Sequence, residues 1–570
     1  MAFGDLFFAR FGRQTQIGPR PENSGIPPIR RHFMTPQLPN RRPLEDERFQ
    51  VIVIGGGANG MAMARECARS GRRTLLVEQN DFGSGSTFRT SQIVPGGLHE
   101  VEQRNLGEAR KQLRDQDVLL RAHPHHVRAM DFLLALRPES QRNNLKMKSA
   151  LWLYKQMQTS HLRAGERTEP QKLQRLLPNG GRWSVFNYED AFCFHPGRLI
   201  AAWVADAEEA GAVVRNYAQV LAIDIRHGRV QGILLRDQLS GREERVGATW
   251  VINATGPWAE RLCQRSRVEI RTPILSTVRS THLALPSLSE TIDSAIAFEG
   301  PGKQLFSLLP WNGQLLLGHA EAADRNDPSR ISPAVQDVET LLGALQRFMP
   351  NLQVSRQDVR YAVTGFYAKP AGDATGHACV IHDHGPHGAA NLFTVVGGTF
   401  ATALRVAREC AAKFGSTRKT ADDNNALPEL PDHWITEVRD AARINEESAT
   451  IIAEWHGKRS LNIAQLAAND ARMRAPLCSH SEHIVAEAMD AYEGEFAITL
   501  ADVLLRRVPV ALNACWSQSC SREAVMRLRP VMGWTEQQAA AELEAFEMER
   551  NALLHKPSSA RLQALQTAAD

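Results

Sequence analysis

The most regular hydrophobic pattern in the chain is a short apolar run followed at once by a helical one. Residues 51–54 (VIVI) are all β-branched, which suits a strand buried on both faces. A helix of mainly small and apolar residues follows from Asn59 to about Ser70, and a second apolar run at 74–77 predicts the next strand. The order strand, helix, strand predicts the first unit of an α/β domain.

Glycines fill the turn between the first strand and the helix. Gly55, Gly57 and Gly60 have the spacing G-x-G-x-x-G. The first glycine permits a tight turn, the second lets the backbone approach a pyrophosphate, and the third lets the helix pack on the strand. Glu78, directly after the second strand, can accept hydrogen bonds from ribose hydroxyls. These features in this order predict a dinucleotide-binding site.

A later segment favours FAD over NAD. Residues 247–262 (GATWVINATGPWAERL) read as a strand at 250–253, a turn of small residues at 254–256 and a helix from about Pro257. A late strand that returns to the nucleotide through an A-T-G turn is typical of flavoproteins with the glutathione-reductase fold. The chain has no second G-x-G-x-x-G, which enzymes that bind two dinucleotides would carry. The sequence therefore predicts FAD alone.

Other patterns predict where further elements lie. Residues 211–223 read as the strand that meets the adenine, and Arg198 is expected to orient a nearby helix start. In the C-terminal part, residues 499–507 form an amphipathic segment, and Thr535 with Gln538 can form a capping box that opens a helix to about Leu554.

Polar, proline-bearing stretches divide the chain into domains. Residues 416–434 predict a linker. We therefore expect an N-terminal extension (1–48), an FAD-binding and substrate domain (49–415) and a helical domain (435–570). The predicted fold class is α/β: a glutathione-reductase-type FAD-binding fold, in which nucleotide segments interleave with an antiparallel substrate-facing sheet, followed by an all-α C-terminal domain.

The first 48 residues have a pattern of their own. Residues 1–13 predict a short amphipathic helix, and the stretch to Pro43 is rich in proline and arginine, as in extended or disordered chain. Two interpretations stay open: an anchor to a membrane or partner, or an extension without its own function. The chain lacks a secretory signal and any apolar run of membrane-spanning length. We expect a cytoplasmic protein, either free or peripheral on the inner face of the membrane.

Composition and charge exclude several other classes of protein. The net charge is +4 over 570 residues, and no basic strip interleaved with aromatic residues suggests nucleic-acid binding. The eight cysteines include no C-x-x-C pair, so we expect reduced core residues rather than a disulfide framework or an iron–sulfur site. His377, His382, His384 and His387 have spacings that match no common metal site, and no metal is predicted.

The motifs resemble those of FAD-dependent glycerol-3-phosphate dehydrogenases, members of the D-amino-acid-oxidase superfamily. The likeness runs from about residue 49 to 551. The family's flavin-binding N-terminus is similar to IGGGANG and GSGSTFRTSQIVPGGLHEVE, and its A-T-G-P-W segment is similar to NATGPWAERL. Its S-H-x-x-x-P strand resembles THLALP, and its F-x-x-P-W…G-T-T-D region resembles LFSLLPWNGQLLLGHAE. ITLADVLLRR and MGWTEQQAAAELEAF are similar to the family's C-terminal domain. The resemblance implies oxidation of a secondary alcohol, with glycerol 3-phosphate as the default substrate and a quinone as the acceptor.

Several positions where the family places cations differ in this chain. The G-x-R-P segment reads TGFYAKP, with Tyr367 in place of arginine and Lys369 two positions later, and G-G-K-L-T-T reads GGTFATAL, with Thr399 in place of lysine. The I-H-G-G-L-R-Y segment has become IVPGGLHE, Gln92 replaces a lysine, and Glu321 replaces an aspartate. A buried phosphate without cations is costly. The changes therefore argue against tight glycerol 3-phosphate binding in the family's pose, unless Lys303, Arg279 or Lys369 supplies a substitute.

The resemblance also assigns residues to the site. His282 in RSTHLALP occupies the position of a family active-site histidine and is the candidate base, because a neutral imidazole that titrates near pH 7 suits removal of a hydroxyl proton. His99 is the next candidate. The candidate substrate residues are Tyr367, Lys369 and Arg279. The predicted FAD-binding residues are Gly55, Gly57, Ala58, Asn59, Gly60, Glu78, Thr87, Thr90, Ser91, Gly96, Gly97, Val220, Ala254, Thr255, Gly256, Gly365, Gly397, Gly398, Thr399 and Thr402.

Three functional hypotheses stay open. The first is the FAD-dependent alcohol dehydrogenase that the family implies, and the second is a flavoenzyme of the same ancestry acting on a different hydroxyl or amine compound. The third is a binding or assembly protein that keeps the fold without turnover, against which the intact nucleotide motif argues. The expected partners are a small-molecule alcohol and a quinone or other electron acceptor. A membrane surface and a homodimer are open, and nucleic acid is not expected.

Overall fold

The computed structural model of the chain describes residues 41–553, apart from 138–139, 141, 159–172, 174–176, 178–182, 271–272, 288–293, 301–303, 325, 330–331, 374–377 and 416–431. The predicted helix at 1–13, most of the predicted linker, Lys303 and His377 lie outside the described residues.

The strands build two sheets. Within the described residues they are β1 Arg48–Ile54, β2 Thr74–Val77, β3 Ile93–Val94, β4 Val127–Leu136, β5 Ser184–Cys193, β6 Val213–Arg215, β7 Ala218–Arg226, β8 Arg229–Asp237, β9 Glu243–Asn253, β10 Leu275–Pro286, β11 Ala295–Glu299, β12 Leu305–Trp311, β13 Gln314–Ala323, β14 Tyr361–Pro370, β15 Cys379–Asp383 and β16 Leu392–Gly397.

Helices surround the sheets and make up the C-terminal part. In the same residues they are α1 Ala58–Arg69, α2 Leu98–Glu102, α3 Leu106–Ala122, α4 Asn144–Met157, α5 Pro196–Glu209, α6 Ala259–Arg265, α7 Val335–Phe348, α8 Phe400–Ala412, α9 Asp432–Ala442, α10 Glu446–His456, α11 Ser460–Asn469, α12 Val485–Gly494, α13 Leu500–Asp502 with a π-helical turn at Val503–Arg507, α14 Gln518–Met532 and α15 Glu536–Leu553. No helix in this part of the chain has both the length and the apolar character needed to cross a bilayer.

The first sheet carries the nucleotide motif. Its strand order is β15-β16-β9-β1-β2-β6, with β8 on β9 and β7 on β8. β1 lies between β2 and β9 and is parallel to both, so that Val51 faces Thr74 on one side and Trp250 on the other. Residues 51–54 are buried, as four β-branched residues in a central strand should be. The predicted strand, helix and second strand are confirmed.

The second sheet has the order β14-β10-β13-β12-β11-β4-β5-β3. It is antiparallel except for β4 and β11, which run parallel, so the expected antiparallel sheet is in fact a mixed one. One face packs on α7 through leucines such as Leu283, Leu317 and Leu341. At one end of the other face, Ala284 and Val363 pack with the C-terminal helices. The face of this sheet opposite α7 is therefore covered in part by the helical domain.

Two of the interpretations drawn from sequence patterns need correction, and a third is confirmed. The single strand expected at 211–223 is two strands, because Tyr217 between them has a positive φ of 51° that breaks the extended backbone. Residues 499–507 are not amphipathic but buried throughout, because their arginines form ion pairs inside the protein rather than at its surface. The capping box at Thr535 and Gln538 is confirmed by reciprocal hydrogen bonds of 2.8 and 3.2 Å.

Residues 41–47, which the sequence placed in the N-terminal extension, pack on the nucleotide lobe, the part of the protein formed by the first sheet and the helices against it. The Arg41 guanidinium donates to the Asn216 side chain at 2.5 Å, and the Leu44 amide donates to Glu244 at 2.7 Å. Leu44 itself is buried in the core beneath the first sheet. The ordered contacts of the lobe therefore begin before β1.

Buried charges join the helical domain to the nucleotide lobe. Asp81 accepts hydrogen bonds from Arg506 Nε at 2.5 Å and from Arg507 at 2.8 Å, and these side chains are at most 2% exposed. Arg198, in the first turn of α5, donates to Glu495 at 2.6 Å. The structure thus shows Arg198 holding the helical domain. Removal of one partner would leave an unpaired charge inside the protein, which is strongly unfavourable.

Candidate functional site

The glycine turn leaves no room for side chains. A Cβ on Gly60 would lie 1.9 Å from the Gly55 carbonyl oxygen, and a Cβ on Gly55 would lie 2.6 Å from the Ala254 carbonyl oxygen. Gly55 also has a φ of 107°, which L side chains rarely adopt. The turn therefore brings the start of α1 directly against β1 and the end of β9, as the dinucleotide motif predicts.

Glu78 lies beside this turn at the end of β2. Its carboxylate accepts hydrogen bonds from the Gly56 amide at 2.7 Å and from the Asn80 amide at 2.8 Å. Burial raises the pKa of Glu78 above its usual range, and the two amide bonds oppose that rise. The position and the acceptor oxygens fit a carboxylate that binds ribose hydroxyls.

Two helix N-termini converge on the same place. Asn59 in the first turn of α1 donates to the Gly397 carbonyl at 2.8 Å, just before α8. Gly397 and Gly398 have φ values of 86° and 85°, which let the backbone turn into α8, where the Thr399 amide donates to Thr402 at 2.9 Å. Because helix N-termini carry partial positive charge, this arrangement favours an anionic or strongly polar ligand.

The remaining wall comes from the segment after β2. Thr87 accepts a hydrogen bond from the Ala58 amide at 3.1 Å. The Asn59 side-chain oxygen is buried and has no partner among the described residues, so it has an acceptor to offer a ligand. Glycine turns, paired helix N-termini and an unpartnered acceptor match a long, anionic and hydrogen-bonding cofactor. The residues present therefore fit FAD.

Other predicted cofactor residues have clear structural surroundings. The Gly96 amide donates to Asp190 at 2.9 Å, and Gly97 has a φ of 93° at the start of α2. Val220, a residue of β7, is buried in the core of the first sheet. Thr90 accepts a hydrogen bond from the Gln92 amide at 3.1 Å, and the neighbouring Ser91 is partly buried. In the turn after β9, the Thr255 hydroxyl donates to the Asn253 side chain at 2.7 Å, and Gly256 has a φ of 57°.

His282 lies on the face of the second sheet that is opposite to α7. It pairs with Val363 of β14, and its ring occupies the space that a side chain on Gly318 would fill. The side chain is 2% exposed, and neither ring nitrogen has a partner among the described residues. A buried imidazole without a protein partner is costly unless a ligand satisfies it, which marks His282 as a ligand-facing residue.

Burial, with a smaller contribution from the neighbouring His319, lowers the pKa of His282 to about 3. The expectation that this imidazole titrates near pH 7 is therefore wrong for the protein without ligand, because the sequence could not reveal how fully the ring is enclosed. The ring is neutral throughout the physiological range. It is always able to accept a proton, but with a weaker driving force than an exposed histidine.

Tyr367, Glu321 and His319 form a polar group on the same face as His282. The Tyr367 hydroxyl donates to Glu321 at 2.9 Å, and His319 Nε2 lies 3.4 Å from the same carboxylate oxygen. The His282 and His319 rings have centroids 5.8 Å apart. Burial and the Glu321 carboxylate raise the pKa of Tyr367. Sequence reasoning missed His319, although its place in the G-T-T-D region, two residues before Glu321, was a usable signal.

Arg89 is a second residue that sequence reasoning missed. A Cβ on Gly365 would lie 2.8 Å from the Arg89 Cβ, so the arginine packs directly on the sheet face beside the Tyr367 group. Burial lowers the pKa of Arg89 to about 10, and its Nε is buried without a partner among the described residues. Ser86 nearby donates to the Phe366 carbonyl. Arg89 is thus a cation held at the junction of the two lobes.

The other predicted substrate and catalytic residues lie in different surroundings. Arg279 forms ion pairs with Asp324 and with Asp337 of α7, on the opposite face of the sheet from His282. Lys369 lies on β14 opposite Ser276, two residues beyond Tyr367. His99 is an exposed residue of α2, 3.9 Å from Glu102. The face of the sheet opposite α7 therefore carries His282 and Tyr367 but not Arg279.

His382, His384 and His387 lie close together at the β15–β16 hairpin, and one of them forms a hydrogen bond. His382 stacks on His387 at 5.9 Å, and His384 Nε2 lies 2.8 Å from the Thr394 hydroxyl. Burial lowers the pKa of His384 to about 4. These contacts account for the histidines as packing residues of the β15–β16 hairpin.

Comparisons with known proteins agree with this geometry. A family model described as "FAD dependent oxidoreductase" matches residues 50–412, and one described as "C-terminal domain of alpha-glycerophosphate oxidase" matches residues 394–539. Glycerol-3-phosphate dehydrogenase of Synechocystis sp. is 26% identical over 542 residues, covering 90% of this chain and 98% of that protein. Glycerol-3-phosphate dehydrogenase 2 of Mycobacterium tuberculosis is 25% identical over 518 residues, covering 86% of each.

A solved structure shows the same fold. Glycerol-3-phosphate dehydrogenase from Bacillus halodurans, complexed with FAD, superimposes with a TM-score of 0.72 at 19% identity, covering 90% of this chain and 97% of that one. The family match spans more than half of the chain and includes the glycine turn, Glu78, the His282 strand and the start of α8. The chain therefore belongs to the FAD-dependent oxidoreductases, with FAD as its cofactor.

Proposed function

We propose that this protein oxidises a secondary alcohol that is neutral or carries a single negative charge, and that a quinone takes up the electrons. The observation that carries the proposal is the 2.9 Å hydrogen bond between Tyr367 and Glu321 on the face that holds His282. The related dehydrogenases are named for glycerol 3-phosphate, whose phosphate is dianionic at neutral pH. Here the phenol of Tyr367 stands where the family resemblance places an arginine, and the carboxylate bonded to it, Glu321, replaces an aspartate.

Electrostatics supports a less anionic substrate. A phosphate dianion beside Tyr367 would lie near the Glu321 carboxylate, and like charges at short range repel by about 1–4 kcal/mol at a partly exposed site such as this one. Arg89 offers one buried cation on this face, whereas a dianion needs more than one charge-assisted contact. A carboxylate hydrogen-bonded to tyrosine is, in contrast, a good acceptor for substrate hydroxyls.

The residues divide the chemistry between them. When bound, FAD supplies the acceptor for the hydride that leaves the alcohol carbon. His282 accepts the hydroxyl proton, since its neutral ring faces the site without another partner. We infer that the proton then passes to His319, whose side chain is 36% exposed and whose ring centroid lies 5.8 Å from that of His282. Arg89 and the Tyr367–Glu321 pair position the substrate.

The test is anaerobic reduction of the bound flavin by a panel of alcohols. We expect neutral or singly charged polyols to bleach the visible flavin band at lower concentrations than glycerol 3-phosphate does. Competent turnover of glycerol 3-phosphate at micromolar concentration would contradict the proposal. An amine substrate that bleaches the flavin faster than every alcohol would favour the second hypothesis, a related flavoenzyme with a different substrate.

The Glu321→Gln variant sharpens this test. Removal of one negative charge without a change of shape should lower KM for glycerol 3-phosphate about tenfold, roughly the 1.4 kcal/mol expected of a partly screened charge pair. KM for a neutral polyol should stay the same or rise. The matched control is Glu243→Gln on the exposed part of β9, which should leave both values unchanged. Equal effects of the two variants would show that Glu321 does not select against phosphate.

Deletion of residues 1–40 tests the association with a membrane. Because the glycine turn, Glu78 and the start of α8 all lie beyond residue 40, the shortened protein should keep its full FAD content. If the N-terminal segment is an anchor, the protein should move from the membrane pellet to the supernatant after cell lysis. Deletion of residues 1–47, which also removes buried Leu44, should lower thermal stability in addition. Unchanged partitioning of both proteins would argue against an anchor.

A further inference from the structure

Two cysteines and a histidine meet in the helical domain, outside the site described above. Cys478, His480 and Cys520 each offer one ligand atom, and these three atoms lie within 4.8 Å of one another. Cys478 and His480 belong to the loop before α12, whereas Cys520 is in the first turn of α14. The sequence spacing C-x-H followed by a distant C-x₄-C resembles no short metal motif, so only the fold shows the cluster.

The distance between the ligand atoms of Cys520 and His480 agrees with binding of both side chains to one metal ion. Cys520 Sγ lies 3.6 Å from His480 Nδ1. In a tetrahedral zinc site, Zn–S bonds of about 2.3 Å and Zn–N bonds of about 2.0–2.1 Å place sulfur and nitrogen roughly 3.6 Å apart. The two side chains therefore already have the separation of neighbouring ligands on one ion.

Cys515 lies next to these three residues. The Cys515 thiol lies 3.9 Å from the His480 carbonyl oxygen, and the Cys515 carbonyl oxygen lies 3.7 Å from Cys520 Sγ. Cys515 and His480 are exposed, whereas Cys478 and Cys520 are buried. An exposed thiol can change its χ1 rotamer at little cost, so Cys515 is able to close a tetrahedron from the solvent side.

A second group of possible ligands serves as a contrast. His456, Asp490 and Glu495 also bring three ligand atoms within 4.8 Å. However, Asp490 pairs with Arg459 at 2.8 Å and Glu495 pairs with Arg198 at 2.6 Å, so arginines already neutralise the carboxylates. Cys520, by comparison, bonds to His480, Ser517 and a backbone carbonyl.

We propose that Cys478, His480, Cys515 and Cys520 bind one Zn²⁺ ion as a structural site. Thiolate and imidazole ligands in tetrahedral array favour zinc among the common divalent metals. Binding releases up to three thiol protons, His480 coordinates through Nδ1, and no electrons are transferred. The ion ties the loop before α12 to the start of α14, where Ser479 already bonds to Glu523 at 2.8 Å.

The site would stabilise the contact between the two domains. Cys478 and Cys520 belong to the same core cluster as Leu309 and Trp311 of the second sheet. An ion that holds these cysteines in place would therefore also stabilise the helices that cover part of the second sheet, on its face opposite α7. Loss of the metal should lower stability more than it lowers flavin content, because the glycine turn lies in the other lobe.

The experiment measures metal content in the purified, FAD-loaded full-length protein. Cells are grown with added Zn²⁺, the protein is buffer-exchanged, and elemental analysis should find about one zinc per chain. His480→Ala and Cys515→Ser alter exposed residues and should retain the fold, yet each should weaken zinc binding at least roughly tenfold, as judged by competition with a chromophoric chelator. The matched control, Cys410→Ala, removes a buried thiol in α8 and should keep its zinc.

A second measurement does not depend on the variants. Replacement of zinc by Co²⁺ should give the visible bands of a tetrahedral thiolate site in the wild-type protein, and His480→Ala should lose or shift them. Zinc-free protein after saturation and buffer exchange would overturn the proposal. So would zinc content unaffected by both His480→Ala and Cys515→Ser, or a disulfide between Cys478 and Cys520 in protein alkylated at lysis.

Discussion

Replacing His282 with asparagine is expected to slow reduction of the bound flavin by substrate about 10²–10⁴-fold, the usual loss when a general base is removed. The FAD content should stay the same, because the glycine turn and Glu78 lie on the other sheet. Stopped-flow absorbance under anaerobic conditions measures the rate. The matched control is His384→Asn, which removes a buried histidine that is bonded to Thr394 and should leave the rate unchanged.

The pH dependence of the same reaction gives an independent check. Since burial lowers the pKa of His282 to about 3, the ring is already deprotonated in the free enzyme at pH 5 and above. The kcat/KM profile, which reports groups of the free enzyme, should therefore show no acid limb from this residue between pH 5 and 8. A wild-type reduction rate in His282→Asn would contradict the assignment of His282 as the base. An acid limb near neutrality that disappears in this variant would contradict the lowered pKa of His282.

The Asp81→Ala variant is expected to lose about 3–5 kcal/mol of unfolding free energy, because Arg506 and Arg507 would stay buried without their shared carboxylate. Urea denaturation followed by tryptophan fluorescence measures the change. The control is Glu243→Ala, which breaks an exposed pair with Arg236 and should cost at most about 1 kcal/mol. An Asp81→Ala midpoint no lower than that of the control would show that the buried charges contribute little.

The elements that the sequence predicted well depend on local rules. β1, α1 and β2 follow from an apolar run, three glycines and an apolar helix within thirty residues, so neighbours along the chain already determine the geometry. The second sheet was predicted less well, because its parallel β4–β11 pair joins strands that are far apart in sequence. Periodicity shows which face of a strand is buried but not which strand lies beside it.

In the candidate site, too, the features set by local sequence were predicted and the contacts between distant strands were not. The resemblance identified His282 and Tyr367, since both stand in recognisable strands. It did not reveal that Tyr367 would bond to Glu321 or that His319 would stand beside them, because these contacts depend on the register between β13 and β14 across β10. The sequence predicted only an amphipathic segment at 499–507, which includes Arg506 and Arg507. Only the fold shows the carboxylate of Asp81 that permits their burial.

The strand order of the first sheet has a consequence for synthesis on the ribosome. Asn59 bonds to Gly397, 338 residues later in the chain, and at about 5–20 residues per second this interval takes roughly 20–70 s to translate. During that time β1, α1 and β2 are complete, but the second helix N-terminus does not yet exist. FAD capture is therefore a late step, and nascent chains should depend on chaperones to shield the half-built nucleotide lobe until α8 emerges.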